Sequence, residues 1–168
     1  MTILRKIRFL LALISVAGVA VAADANRLPV EDQVATAVAL PLTTVVHFWA
    51  PWCPNCRAEL QNGGWARMIE ANPNTRFIFV TIWSEDGGRG LLARYGLGAQ
   101  PNLALLVGPN GSSDQRTATR SFLGETLTWI PTTWVYRSGQ LRYALNYGEL
   151  HFPVLQQLID DASNRWEH

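Results

Sequence analysis

The chain has 168 residues, 14 of them basic and 13 acidic, a net charge of +1, and only two cysteines. That length makes one domain with a sizeable core that needs no disulfide staple. The near-balance of charge offers no basic patch for nucleic acid, and no block of like charges marks a disordered tail.

The first segment reads as an export signal. Arg5, Lys6 and Arg8 form a positive start, and Phe9 to Val21 is apolar apart from Ser15. Ala20-Val21-Ala22 is a small-residue cleavage pattern, with Ala23-Asp24-Ala25 as a second candidate. The layout is therefore 1–22 as signal peptide, 23–29 as exposed lead-in and 30–168 as one domain. An uncleaved N-terminal membrane anchor is the alternative, although a membrane span takes roughly 20 apolar residues. Basic residues before the apolar run, and none directly after it, place the remainder outside the cytoplasm either way. A periplasmic location is expected. Losing the signal removes the only lysine, Lys6, so every remaining cation is an arginine.

Val30 to Leu40 carries Val30, Val34, Ala37 and Val38 at helical spacing. Thr43 to Trp49 is β-branched and aromatic and predicts a buried strand. A helix is expected from Cys53 through Leu60, broken or kinked at Gly63-Gly64 before Trp65 to Ala71. Arg76 to Trp83 predicts a second strand, Ser84 to Gly90 a loop, Leu91 to Tyr95 a short helix and Asn102 to Val107 a third strand. Asp114 to Phe122 reads as a weak helix. Thr132 to Arg137 and Gln140 to Tyr147 predict a hairpin turning at Ser138-Gly139. Phe152 to Trp166 predicts a helix whose stripe is Leu155, Leu158, Ile159, Ala162 and Trp166, with Asp160 and Asp161 facing away. Alternating β and α elements closed by a hairpin predict an α/β fold: a central mixed sheet with helices on both faces.

The two cysteines stand in Trp52-Cys53-Pro54-Asn55-Cys56. A pair this close closes too small a loop to be an effective staple. Zinc would need about four ligands, and neither a second Cys pair nor suitably spaced His47, His151 and His168 supplies them. A c-type haem site needs His directly after the second Cys, where Arg57 stands. Inert buried cysteines suit the sequence poorly, because Pro54 and Asn55 do not belong in a packed helix interior. The spacing fits thiol-disulfide exchange, in which one thiolate attacks and the other resolves. Cys53 falls where a strand ends and a helix begins, and free N–H groups there favour an anion. It is the expected attacker and Cys56 the resolver. Pro54 suits the first helical turn, where its missing N–H costs nothing.

FWAPWCPNCRAEL resembles the thioredoxin-like proteins, in particular the exported TlpA/ResA-like thiol-disulfide oxidoreductases. The resemblance implies a thioredoxin-like fold with an insertion between Gly96 and Gly124 that carries an extra strand. It implies that Ile130-Pro131-Thr132 is a cis-proline segment facing the cysteines and helping to hold a polypeptide substrate. Trp52, Pro54 and Gly148 belong to the same implied binding surface. Thioredoxins carry a buried Asp where this chain has His47, and with Lys6 in the signal segment no lysine is available to pair with a carboxylate. His47 is either a base or a buried core imidazole. Glu59, one helical turn beyond Cys56, is the preferred proton acceptor; ResA-like members carry Glu there. The alternative is a solvent-facing Glu59 paired with Arg57 or Arg67.

The implied activity is thiol-disulfide exchange through a Cys53–Cys56 redox disulfide, as a reductase of protein substrates such as apocytochrome c. Oxidation or isomerisation of secreted proteins, and a redox-sensing module without turnover, are the alternatives. Copper chaperoning is a weaker reading, since exported chaperones of this fold space their cysteines further apart and add a His. The expectation is a monomer that uses no cofactor, takes electrons from a membrane donor and binds no nucleic acid.

Overall fold

The computed structural model describes residues 29–84, 86–108, 120–146 and 148–164. Helix α1 (Pro29–Val38) leads into strand β1 (Thr43–Trp49), and α2 (Pro54–Leu60) follows. A single 3₁₀ turn (Gln61–Gly63) separates α2 from α3 (Gly64–Ala71). Then come β2 (Arg76–Thr81), α4 (Arg89–Arg94), β3 (Leu103–Val107), β4 (Ser121–Phe122) and β5 (Glu125–Thr126). The chain continues through β6 (Thr132–Arg137) and β7 (Gln140–Leu145) to α5 (Phe152–Ser163).

Five strands form one sheet in the order β3-β2-β1-β6-β7. The first three run parallel, and β6 and β7 add antiparallel on the other side of β1. Every residue of β1 is buried, as befits a central strand covered on both faces. Side chains alternate across the sheet, so β1 divides its residues between two cores. Val45 and Trp49 join Phe77, Phe79 and Val135 under α3 and α5. Val46 and Phe48 join Ile78, Val80, Trp134 and Tyr136 under α1. His47 shares the parity of Val45 and Trp49, so the pleat sends it to the α3/α5 face. Its register partners are Phe79 on β2 and Thr133 on β6.

Glycines set the α2–α3 corner. Gly63 takes φ +64°, the left-handed conformation that costs glycine least. A Cβ on Gly64 would lie 2.3 Å from the Phe152 ring, so only glycine lets α5 approach this closely. Phe152 then meets Trp65 edge-on at 5.3 Å.

The structure corrects the expected elements in several places. Phe122 is not helical: Ser121–Phe122 pairs with Glu125–Thr126 across a tight turn. Leu123 and Gly124 have φ of +51° and +81° there, the two positive values of a type I′ turn. Phe122 packs edge-on against Phe48 at 4.9 Å and closes the α1-side core. Residues 114–119 of the expected weak helix lie outside the described residues, as do Tyr147 and Trp166. Strand β2 ends at Thr81, and the positive φ of Trp83 (+54°) turns the chain away from the sheet. Asp160 is exposed, but Asp161 is half-buried and accepts a hydrogen bond from the Tyr143 hydroxyl.

Candidate functional site

The cysteines follow the carboxyl end of β1, where open α/β sheets generally place their sites. Cys53 is the N-cap of α2, with extended backbone (φ −73°, ψ 121°) and Pro54 in the first turn behind it. Its sulfur accepts the backbone N–H of Cys56 at 3.3 Å, so one of the helix's free amides points at the thiol. The Ile130 carbonyl lies 3.7 Å away on the other side. The next peptide bond, Ile130–Pro131, is cis. Both cysteines are free thiols. Cys53 is the less enclosed, 4% exposed against 1% for Cys56. Burial pushes the Cys56 thiol well up, and its hydrogen bond to the Cys53 sulfur adds to this, as does the charge of Glu59.

Glu59 is not a surface residue paired with Arg57 or Arg67. It is 4% exposed and faces inward. Its Oε1 accepts the Leu150 N–H at 2.7 Å, and its Oε2 accepts the Trp65 indole N–H at 3.3 Å. Oε2 also lies 3.5 Å from His47 Nε2. Burial raises the carboxyl from its ordinary 4.5 to about 7, outweighing the two donors that pull it down. His47 is enclosed by Trp65 and Phe79, with ring centroids at 4.5 and 4.8 Å. Burial lowers the imidazole to about 3. The His47–Glu59 separation would suit an ion pair, but an ion pair needs a charged imidazole. Desolvation forbids that near neutral pH, so His47 meets the carboxyl as a neutral imidazole.

Thr133 completes the network: its Oγ1 is 2.9 Å from His47 Nδ1. A hydroxyl both donates and accepts, so this bond holds with either tautomer of His47.

The remaining expected residues divide by position. Pro131 is buried and, with Glu59, Thr133, Gly148, Leu150 and Val154, lines a cavity of about 210 Å³. Gly148 has φ +71° in the loop that delivers the Leu150 N–H to Glu59. Trp52 is 51% exposed, and its indole N–H donates to the Trp83 carbonyl at 2.7 Å. Pro54 is exposed beside Cys53. Thr132 does not join the cavity. It pairs with Phe48, on the other parity, and its hydroxyl donates to the Trp129 carbonyl at 2.9 Å. The side chain that faces the site is its neighbour Thr133. Thr133, Trp65 and the Leu150 amide were not singled out in the sequence. Counting by two from Pro131 would have reached Thr133; nothing local marks the other two.

No protein-family model matches the chain, and no curated protein matches its sequence. Solved structures do match. A secreted Mycobacterium tuberculosis disulfide oxidoreductase homologous to E. coli DsbE shares 19% identity at a TM-score of 0.53, over 74% of this chain and 85% of that one. A thioredoxin-family thiol:disulfide interchange protein from Chlorobium tepidum shares 16% at a TM-score of 0.54, over 77% and 85%. A thioredoxin-like protein from Neisseria meningitidis, described as a putative thioredoxin, shares 22% at a TM-score of 0.52, over 75% and 77%. The chain therefore has the thioredoxin-like α/β fold. Within that fold it presents two thiols at Cys-x-x-Cys spacing where β1 hands over to α2.

Proposed function

We propose that this chain is a periplasmic thiol-disulfide oxidoreductase that reduces protein disulfides. The observation that carries the reading is the setting of Cys53. Its sulfur caps α2, takes the Cys56 amide at 3.3 Å and faces the carbonyl that precedes the cis Pro131. The export-like N-terminus supports the location, as does the secreted character of the Mycobacterium neighbour. The resemblance around the cysteines favours reduction over oxidation.

Reduction proceeds in two exchanges. The Cys53 thiolate attacks one sulfur of the substrate disulfide, forms a mixed disulfide and expels the other sulfur as a thiolate, which takes up a proton. Cys56 then loses its proton to Glu59 and attacks the Cys53 sulfur. The Cys53–Cys56 disulfide forms, the second substrate thiolate leaves, and two electrons have passed to the substrate. Glu59 is the proton acceptor because a carboxyl near 7 is ionised often enough to take the proton and basic enough to want it. His47 is a positioning residue: neutral, it packs against Glu59 Oε2 at 3.5 Å. Trp52, Pro54, Ile130, Pro131 and Gly148 form the surface over which the substrate lies. A membrane donor returns the disulfide to the dithiol, and the protein works as a monomer.

Redox titration of the Cys53–Cys56 couple tests the direction. A reduction potential near −270 mV supports a reductase; one near −120 mV makes the protein an oxidant of secreted chains.

A further inference from the structure

A cavity of about 380 Å³ lies at the end of the sheet where β2 and β3 begin. Arg76, the first residue of β2, pairs in register with Thr44 near the start of β1. The thiols follow the other end of β1, five residues further on, or roughly 17 Å at the rise of a strand. This cavity is therefore separate from the site of thiol exchange.

Three consecutive side chains, Asn74, Thr75 and Arg76, line it with an amide, a hydroxyl and a guanidinium. Among the described residues none of the three side chains has a hydrogen-bond or ion-pair partner. Arg76 is half-buried, a setting in which arginine is normally paired. Thr75 is 5% exposed. The fully enclosed polar atoms without partners among the described residues are Thr44 Oγ1, Trp49 Nε1 and Tyr136 Oη. The Thr75 hydroxyl is not one of them, and it opens on the cavity. No acidic side chain lines the cavity, and Leu42, Pro101 and Leu103 give it apolar walls.

The wall is fixed in advance. Asn102 Nδ2 lies 3.0 to 3.1 Å from the carbonyls of Ile69, Asn72 and Thr75, tying the end of α3 and the start of β2 to the start of β3. A preformed site loses little freedom on binding.

We infer that this cavity binds a small organic acid, its carboxylate on Arg76 and Thr75 and its apolar body against Leu42, Pro101 and Leu103. A carboxylate only accepts hydrogen bonds and matches the guanidinium fork. One guanidinium balances one charge, which favours a monocarboxylate over a phosphate dianion. The inference is independent of the direction of electron flow at Cys53.

The test is a ¹⁵N–¹H NMR titration of the reduced full chain with hexanoate, hexanamide and acetate. Hexanoate should give saturating shifts at the amides of residues 74–76 and 102–104. Hexanamide should bind about tenfold or more weaker, the scale of a hydrogen bond to a charged group. Acetate should also bind tenfold or more weaker, since each methylene removed from an apolar wall weakens binding by up to about fourfold. Arg76→Gln should bind hexanoate and hexanamide alike, Arg76→Lys should keep part of the preference, and Thr75→Val should weaken hexanoate alone. N-acetylleucine presents the carboxylate of a polypeptide C-terminus: tighter binding than hexanoate assigns the site to a chain end, weaker binding to a free acid, and either supports the inference. Equal binding of hexanoate and hexanamide to wild type, shifts that do not saturate, or a preference that survives in Arg76→Gln would overturn it. So would hexanoate slowing the release of thionitrobenzoate from Cys53, which would place the acid at the thiols.

Discussion

Replacing Glu59 by Gln separates what this carboxyl does for catalysis from what it does to stability. Folding raises the group from 4.5 to about 7, so between those values the native state holds a proton that the unfolded state has lost. Unfolding then releases a proton, and native stability falls as pH rises across that window. At about 1.4 kcal/mol per unit, the loss reaches roughly 3 kcal/mol by pH 8. His47 works the other way. It is held neutral down to about 3 and takes up a proton on unfolding below 6.5. From 4.5 to 6.5 the two slopes cancel, because the pair binds one proton in either state. The difference between Glu59→Gln and wild type removes the His47 contribution and isolates Glu59. Gln has a constant cost, since its amide cannot accept the Trp65 N–H at the position of Oε2. On top of that constant, the variant should gain about 3 kcal/mol relative to wild type between pH 4.5 and pH 8. Urea unfolding of the reduced proteins at both pH values measures this. Kinetically the variant should lose. With Cys53 carrying a thionitrobenzoate, release of the coloured thiol reports the attack of Cys56. In wild type that rate should climb through pH 7. In the variant the pH 7 step should vanish, with a rate at pH 8 lower by roughly a hundredfold, the lower end of general-base effects. A stability gap that does not move with pH, together with an unchanged rate profile, would refute both the buried carboxyl and its role.

Two neighbours should shift that profile in opposite directions. Trp65→Phe removes a donor that favours the carboxylate, so the midpoint moves above 7; Glu149→Gln removes a negative charge that disfavours it, so the midpoint moves below. The same release assay reads both, and shifts of the same sign would contradict the electrostatic account. Gly64→Ala pits up to about 1 kcal/mol of helix propensity against an overpacking cost of roughly 1–3 kcal/mol. With a Cβ only 2.3 Å from the Phe152 ring, the clash should win and lower the urea midpoint. A neutral or stabilised variant would show that α5 yields easily.

The parts of the fold legible in the sequence were those specified by local chemistry. Strands β1 and β6 begin and end where their β-branched and aromatic runs do, since both are buried on two faces. Pro54 and the Gly63-Gly64 pair fixed the start of α2 and its junction with α3. Phe122 misled because the hairpin around it holds only two residues per strand, too few to show a period of two. At the site, His47 and Glu59 looked like competitors because one lies on a strand and the other on a helix. Their contact at 3.5 Å is made by packing α2 across β1, and local spacing carries no sign of it. The Leu150 amide is invisible for a plainer reason: a backbone donor has no letter in the sequence.

The most direct test of the central claim is a trap at the cysteines. A Cys56→Ser variant should accumulate a stable mixed disulfide through Cys53 when mixed with a disulfide-bonded protein, seen as a reducible adduct by mass spectrometry. Cys53→Ser should form none. Adducts from Cys53→Ser alone would reverse attacker and resolver, and no adduct from either variant would contradict thiol-disulfide exchange as the work of this site.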